Sequence, residues 1–305
     1  MKASMGPKQF LFIVGAPKAG TTSLATWLGL NEHFFAPSLK EPGFFRDRQD
    51  YYVLNTRGDR GTTTINFDKQ KYLALYESAG PTQWGIDAST DYLSCEQTAD
   101  RIMAFSQSIR VKVMCILRDP VDRAFSEYRH TVRDGLETET FRRSIELEPQ
   151  RIREKFQPLF FHVRRSQYYA DINRYIELFG EDLLLLDYKL LQTPSEILRR
   201  VSELIGVTVS IPESLPVLNE SISQAHPLVS SIRSLPLLRS AARTVMGSRL
   251  RAKLGNWLET SFRRSRVQLS EADRMFLIAK LQDDINACVE HPAIPTDSWA
   301  TSSVE

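Results

Sequence analysis

Short apolar runs alternate along the chain with segments whose apolar residues recur at helical spacing. Residues 10–14, 111–117 and 183–186 are apolar runs of strand length. Helical spacing follows the first run and appears again over residues 169–179, where Gly180 is a stop signal. Strands that alternate with helices are typical of a parallel sheet covered by helices on both faces. The pattern therefore predicts an α/β fold with ligands at the carboxyl ends of its strands.

Several predicted helices have recognisable starts or extents. Thr21 and Thr22 stand where they can cap the helix that follows the first apolar run. After the second run, Asp119 is a candidate N-cap, and Pro120 occupies the first helical position, where its missing N–H costs nothing. Residues 270–290 return to an amphipathic helical pattern near the end of the chain.

Three segments interrupt this alternation. Residues 46–66 are polar and contain glycine, which predicts a long surface excursion. Residues 142–165 are rich in arginine and predict irregular or loosely helical structure. Residues 221–258 contain no acidic residue, and both a contact with an anionic ligand and a solvated face stay open for them. The basic residues of that segment are Arg233, Arg239, Arg243, Arg249, Arg251 and Lys253.

The composition is that of an ordinary globular protein with a hydrophobic core. Of the 305 residues, 42% are hydrophobic and 25% are charged. The chain has no internal repeat and no low-complexity tract. We therefore expect a single domain over residues 8–300, with flexible termini at residues 1–7 and 301–305.

Charge, cysteine content and hydropathy narrow the class of protein further. A net charge of +2 is too small to indicate a nucleic-acid binder. Cys95, Cys115 and Cys288 are far apart and have no CxxC spacing, which argues against a disulfide framework or a zinc site and favours a reducing compartment. No leader pattern begins the chain, and no apolar run approaches the roughly 20 residues that span a bilayer. These features predict a cytoplasmic protein without a membrane span.

A loop with a lysine inside it follows the first apolar run. Residues 15–22 read GAPKAGTT. Glycines let backbone N–H groups turn inward, and the start of the next helix adds the positive end of a dipole, so such a loop can hold an anion. The nucleotide-triphosphatase pattern GxxxxGK[ST] has its lysine directly after the second glycine. Here Thr21 occupies that position, and Lys18 lies three residues earlier, where it can reach the bridging oxygen of a phosphosulfate.

A second candidate anion site follows the second apolar run. Residues 118–128 read RDPVDRAFSEY, so Arg118 leaves the end of a strand and Ser126 lies about two turns into a helix. A guanidinium fork together with a hydroxyl is suited to hold one phosphate. In a parallel sheet this junction and the first loop lie at the same edge.

The two motifs together resemble those of the sulfotransferases that use 3′-phosphoadenosine-5′-phosphosulfate (PAPS), and the resemblance extends over residues 10–205. It implies that Lys18 is catalytic and stabilises charge on the leaving phosphate. It implies that Arg118 and Ser126 hold the 3′-phosphate, which would select PAPS over ATP. The remaining implied ligands of the 5′-phosphosulfate, besides Lys18, are Ala19, Gly20, Thr21, Thr22 and Ser23.

A further resemblance concerns the base that takes the proton of the acceptor. Residues 40–45 read KEPGFF and are similar to the KExxFF segment of carbohydrate-type and many bacterial sulfotransferases, which implies that Glu41 is the general base. The carbohydrate-type pattern often has a histidine where this chain has Gly43, which leaves the class of acceptor open. Phenol-type sulfotransferases use a histidine base, and His162 is therefore the rival of Glu41. His130 is interpreted as structural.

Residues 85–93, GIDASTDYL, resemble the segment GExSxxYL that lines the acceptor site in the family. Asp87 stands for the glutamate, and Ser89 and Tyr92 are implied substrate contacts, although Tyr92 is equally suited to core packing. His162 is a further candidate contact.

The resemblance implies an α/β enzyme that transfers the sulfuryl group of PAPS in line to a hydroxyl or amine and releases adenosine 3′,5′-bisphosphate without a metal. The acceptor class favoured by the Glu41 segment is a carbohydrate, with a small metabolite as the alternative, and no nucleic-acid partner is expected. Two rival functions remain: a P-loop kinase or nucleotidase, whose metal ligand would be Asp187 after the third apolar run, and a degenerate module that binds nucleotide or glycan without chemistry.

Overall fold

The computed structural model describes residues 6–46, 68–210 and 268–303. Five strands form one sheet: β1 (Gln9–Gly15), β2 (Phe34–Phe35), β3 (Trp84–Asp87), β4 (Arg110–Leu117) and β5 (Leu183–Asp187). Their order across the sheet is β2-β3-β1-β4-β5, and every neighbouring pair is parallel. All five carboxyl ends therefore lie along one edge.

Helices connect and flank these strands. Those of the described residues are α1 (Thr21–Gly29), α2 (Lys69–Ala74), α3 (Thr98–Ser106), α4 (Pro120–Arg133), α5 (Phe141–Arg153), α6 (Tyr169–Phe179), α7 (Pro194–Ile205) and α8 (Glu271–Glu290). A parallel sheet flanked by helices confirms the fold class that the alternation of apolar runs predicted.

The long apolar patterns gave the correct elements. β1, β4 and β5 contain the three predicted runs, and α6 and α8 match the two predicted helices. Asp119 caps α4 as expected, since its Oδ1 accepts hydrogen bonds from the backbone N–H groups of Val121 at 2.9 Å and Asp122 at 3.0 Å. Pro120 is the first residue of that helix.

Two local predictions were wrong. The N-cap of α1 is Gly20, with φ of +85°, while Thr21 and Thr22 lie within the first turn and provide no side-chain cap. The first half of the arginine-rich segment, residues 142–153, is a regular helix rather than irregular or loosely helical, because α5 buries Phe141 and Ile145 at i and i+4 and Thr140 caps its start. Segments 47–66 and 221–258 lie outside the described residues.

Aromatic side chains fill the core beside β1. Phe10 packs on Tyr76 with ring centroids 4.8 Å apart, and Phe12 packs on Phe45 at 5.3 Å. Phe44 stacks on Tyr72 at 4.6 Å. Phe44 and Phe45 belong to neither a helix nor a strand, so the core itself fixes the segment that carries Glu41.

A buried network of charges joins α4 to the segment before α6. The Nη1 atom of Arg123 donates to Glu127 Oε2 at 2.8 Å, and Nη1 of Arg165 donates to Glu127 Oε1 at 2.5 Å. Arg165 also pairs with Asp91, which in turn lies 2.7 Å from the Nη2 atom of Arg46. Although burial favours the neutral acid, the two guanidinium groups lower the pKa of Glu127 to about 2.

We expect Glu127→Ala to lower the free energy of unfolding by about 3–5 kcal/mol, because it leaves two buried guanidinium groups without their shared partner. Urea denaturation monitored by circular dichroism measures this change. The matched control is Glu196→Ala, which removes an exposed ion pair on α7 and should have little effect.

The contribution of Glu127 also depends on pH in a defined direction. Its pKa of about 2 in the folded chain lies below the ordinary value of 4.5, so the stabilisation is present above pH 4.5 and is lost as the pH falls towards 2. Equal stability of the parent and Glu127→Ala proteins at neutral pH would contradict this account of the network.

Candidate active site

The loop between β1 and α1 presents backbone N–H groups at the edge of the sheet. It is anchored to β4 by the N–H of Ala16, which donates to the carbonyl of Ile116 at 2.8 Å. Lys18 and Gly20 adopt φ of +65° and +85° and turn the chain into the helix. Because no side chain caps α1, the N–H groups of its first turn are available to an anion.

Gly20 is required here by space as well as by conformation. A Cβ atom at this position would lie 2.2 Å from Cδ1 of Leu191, which belongs to the turn after β5. The turn of residues 188–192 therefore packs directly on the loop. The close approach accounts for the glycine between Lys18 and Thr21.

Lys18 is a cation partly withdrawn from water. Burial, reinforced by the nearby charge of Arg133, lowers the pKa of Lys18 to about 8. Within the described ranges its ammonium group forms neither an ion pair nor a hydrogen bond. A bound anion would supply the missing countercharge, so the electrostatics of the loop favour an anionic ligand.

Arg118 lies against the same loop, as the order of parallel strands predicts. Its Nη1 atom donates to the backbone carbonyl of Lys18 at 3.2 Å, and its guanidinium carbon lies 4.8 Å from the centroid of the Tyr188 ring. The hydroxyl of Tyr168 donates to the carbonyl of Arg118 at 3.1 Å. The structure thus brings the two predicted anion motifs together.

The two helix starts at this edge differ in their capacity to bind an anion. The start of α4 is occupied by the Asp119 carboxylate, whose second oxygen also accepts from the N–H and hydroxyl of Thr301 at 3.1 and 3.0 Å. The start of α1 has no such acidic cap. The backbone N–H groups at the start of α1 are therefore open to an anion, whereas at the second motif the start of α4 is occupied and the Arg118 side chain is the cationic group.

α4 presents further polar groups towards Lys18. Ser126 is half-buried on this helix, and the charges of Glu127 and Asp134 also act on Lys18. His130 lies one turn after Ser126, and burial together with the charge of Lys18 lowers its pKa to about 4. The sequence interpretation treated His130 as structural; its spacing of four from Ser126 was the signal that it shares this face.

Glu41 lies at the sheet edge in a partly open position. Its Oε1 is 3.3 Å from the Nζ of Lys40, its Oε2 accepts from the Thr90 hydroxyl at 3.4 Å, and 39% of its side chain is exposed. The charge of Lys40 lowers the pKa of Lys18 slightly, so the two residues are near enough for their charges to interact. Phe44 and Phe45 pack into the core and anchor the segment from below.

Three predicted substrate contacts are buried. Ser89, Tyr92 and His162 are 1%, 0% and 0% exposed. The hydroxyls of Ser89 and Tyr92 donate to the Asp87 carboxylate at 2.6 and 2.9 Å, so both are hydrogen-bonded inside the protein. All three side chains thus lie in the interior of the protein, and their contact with a substrate stays a prediction. His162 in addition lies in the charge network, 3.8 Å from Glu127 Oε2.

Asp187, the metal ligand expected of a kinase, is hydrogen-bonded to other groups of the protein. The hydroxyl of Ser298 lies 2.6 Å from both carboxylate oxygens of Asp187, and the N–H of Lys189 donates to Oδ1 at 2.6 Å. In the described residues no group of three or more His, Cys, Asp or Glu side chains is placed to hold a metal ion. None of the described helices is both long enough and apolar enough to cross a bilayer.

Comparison with known proteins decides the family. Residues 8–257 match the family described as the sulfotransferase domain. The chain belongs to the sulfotransferase family. A solved structure, a sulfotransferase from Alicyclobacillus acidocaldarius, is 30% identical and superposes with a TM-score of 0.62, covering 84% of this chain and 96% of that one. This sulfotransferase is therefore a transferase enzyme with the expected fold.

Curated relatives share a smaller part of the chain. Carbohydrate sulfotransferase 15 of Homo sapiens and of Rattus norvegicus are each 27% identical to it, over 44% of this chain. The matched region spans 29% of the length of those relatives.

Proposed function

We propose that this sulfotransferase transfers the sulfuryl group of PAPS to an acceptor hydroxyl or amine. One observation carries the proposal. The guanidinium group of Arg118 donates a hydrogen bond to the backbone carbonyl of Lys18, which joins the two residues. The donor has two separate phosphate groups, and the site has two separate positive features. A nucleotide with a single phosphate cluster would leave one of them without a partner.

The residues of the first loop fit the 5′-phosphosulfate. The N–H groups of Gly20, Thr21 and Thr22, the hydroxyls of the first turn and the Ser23 side chain surround the uncapped start of α1. Lys18 would face the oxygen that bridges phosphorus and sulfur. Ala19 contributes backbone only, since its side chain is buried in the core.

Arg118 and Ser126 fit the 3′-phosphate. A charge-assisted bond from a guanidinium gives both energy and direction, and a hydroxyl adds a donor on the helix that flanks it. This pair is what would distinguish the donor from ATP, which has no phosphate at the 3′ position.

The proposed reaction uses two side chains, Glu41 and Lys18. Glu41 takes the proton of the acceptor, the acceptor oxygen or nitrogen forms a bond to sulfur, and the bond from sulfur to the 5′-phosphate oxygen breaks. Lys18 neutralises the charge that grows on that departing oxygen. Adenosine 3′,5′-bisphosphate leaves. The step needs no covalent intermediate on the protein, because orientation and charge stabilisation supply the rate enhancement.

A carbohydrate hydroxyl is the acceptor we favour, and a small metabolite is the alternative. The support is the KEPGFF segment together with the carbohydrate sulfotransferases among the relatives. Gly43 has φ of +64°, where glycine is preferred over residues with a side chain. The backbone therefore accounts for glycine at the position where the carbohydrate-type pattern often has histidine.

We further propose that residues 8–300 act as one domain in a reducing, cytoplasmic setting without a metal or nucleic-acid partner. All three cysteines are buried and unpaired, which supports a reducing compartment.

Adenosine 3′,5′-bisphosphate should bind far more tightly than AMP, and Arg118→Ala should remove about 2–3 kcal/mol of that binding, because a charge-assisted contact to the 3′-phosphate is lost. Isothermal titration calorimetry measures both. The matched control is Arg110→Ala, at the amino end of the same strand, which should not change the affinity. Equal affinities for the two nucleotides would overturn the donor assignment.

Nucleotide binding near pH 8 should be accompanied by proton uptake. Since the pKa of Lys18 is lowered to about 8, part of the free protein has a neutral amine there, and a bound phosphate favours the charged form. Calorimetry in two buffers of different ionisation enthalpy measures the protons taken up. Uptake should increase from pH 6 to pH 8 and disappear in Lys18→Ala; the same uptake in that variant would show that another group is responsible.

Glu41→Gln should preserve the fold and the affinity for adenosine 3′,5′-bisphosphate but lower kcat about 100-fold or more, because a nearly isosteric amide cannot accept the proton. Steady-state assays with labelled PAPS and a pool of sugar acceptors measure kcat. His162→Gln is the companion variant, since that residue is buried in the charge network. Near-parental turnover of Glu41→Gln combined with loss in His162→Gln would make the histidine the base.

A further inference from the structure

Asp87 is a buried carboxylate that four donors share. Its Oδ1 accepts from the hydroxyl of Ser89 at 2.6 Å and from the Ser89 N–H at 3.1 Å. Its Oδ2 accepts from the hydroxyls of Tyr92 at 2.9 Å and Tyr72 at 3.1 Å. In the part of the chain that the structure describes, no cation pairs with it. Burying an ionised carboxylate without a paired cation costs free energy. This cost points to a functional role for Asp87.

Two of these donors connect Asp87 to the segment that carries Glu41. The Ser89 hydroxyl accepts from the N–H of Gly43 at 2.9 Å, and the Tyr92 hydroxyl accepts from the N–H of Phe45 at 3.2 Å. A hydroxyl has one hydrogen to donate. Because the carboxylate takes that hydrogen from each, the oxygens are left as acceptors and face the two N–H groups.

The rest of the segment is held at its other end. The carbonyl of Phe45 accepts from the Thr98 hydroxyl at 2.9 Å and from Arg101 Nη1 at 3.2 Å. Gly43, at φ of +64°, turns the chain between this anchored end and Glu41. Among the described residues, the Glu41 side chain makes two long polar contacts, at 3.3 Å to the exposed Lys40 and at 3.4 Å to the hydroxyl of the buried Thr90. Its place at the sheet edge therefore depends on the backbone beneath it.

We propose that Asp87 is a positioning residue for Glu41, acting through the Ser89 and Tyr92 hydroxyls on the N–H groups of Gly43 and Phe45. The inference rests on the proposed role of Glu41 as the base. It gives Ser89 and Tyr92 a function that burial permits, in place of the substrate contacts expected from the sequence. A misplacement of about 1 Å at a reacting group can cost about 100-fold in rate, so a buried relay of this kind affects turnover.

The test compares two buried tyrosines that both donate to Asp87. Tyr92→Phe removes the acceptor of the Phe45 N–H, whereas Tyr72→Phe removes a donor of the same carboxylate without a bond to residues 41–46. Both variants retain the ring and its packing. Tyr92→Phe should lower kcat about tenfold or more with unchanged affinity for adenosine 3′,5′-bisphosphate, and Tyr72→Phe should keep the parental kcat. Assays at about pH 8 keep Asp87 ionised, because burial raises its pKa to about 6.

A double-mutant cycle separates positioning from a general loss of structure. If Tyr92 acts through Glu41, adding Tyr92→Phe to Glu41→Gln should cause no further loss of kcat. The inference is wrong if the loss of kcat in the double variant is the product of the two single losses, or if Tyr92→Phe and Tyr72→Phe lower kcat equally. Either result would leave the proposed role of Glu41 as the base unaffected. Full turnover of Glu41→Gln alone would instead refute the proposed base.

Discussion

The ammonium group of Lys18 is held partly out of water beside other cations, and the active site of this sulfotransferase depends on that arrangement. Burial and the charge of Arg133 oppose its protonation. Arg118 adds a second cation through its bond to the Lys18 carbonyl. The carboxylates of Glu127 and Asp134 offset part of the repulsion between these cations, and we propose that a ligand with two anionic groups offsets more of it. The order of β1 and β4 in the sheet and the loop after β1 together place these cations at one edge, beside the uncapped start of α1.

The strand order brings Lys18 and Arg118 together, and the core fixes the Glu41 segment near them. β1 and β4 are neighbours, so the loop after one and the arginine after the other meet. β3 lies on the other side of β1 and ends at Asp87, from which hydroxyls extend to the segment of Glu41. Under the proposed role of Glu41 as the base, the anchoring of its segment by Phe45 and by the buried carboxylate orients it before an acceptor arrives.

Much of this could be predicted from the sequence. Apolar runs of four to seven residues identify buried strands, and their order in an α/β fold places Lys18 and Arg118 at one edge. β2 and β3 were missed, because β2 has only two residues and β3, which reads WGID, is not a continuous apolar run. The region of α5 was predicted to be irregular or loosely helical, because its arginines obscured the apolar stripe of Phe141 and Ile145.

The burial of Ser89, Tyr92 and His162 could not be predicted from residue type. A serine or tyrosine hydroxyl is equally suited to a substrate or to an internal carboxylate, and only the depth of Asp87 decides between them. The N-cap of α1 could not be predicted from residue type either. Thr21 and Thr22 are good capping residues, but the close approach of Leu191 requires a glycine at the cap position itself.

The central claim is that Lys18 serves the transition state and not only donor binding. The measurement that tests it compares, for Lys18→Ala and the parent, kcat for sulfuryl transfer from labelled PAPS and the Kd for adenosine 3′,5′-bisphosphate. Charge on the bridging oxygen grows as the bond to sulfur breaks, so kcat should fall by a much larger factor than the affinity. A variant whose kcat is unchanged, and whose loss in kcat/KM equals its loss in affinity, would contradict the account.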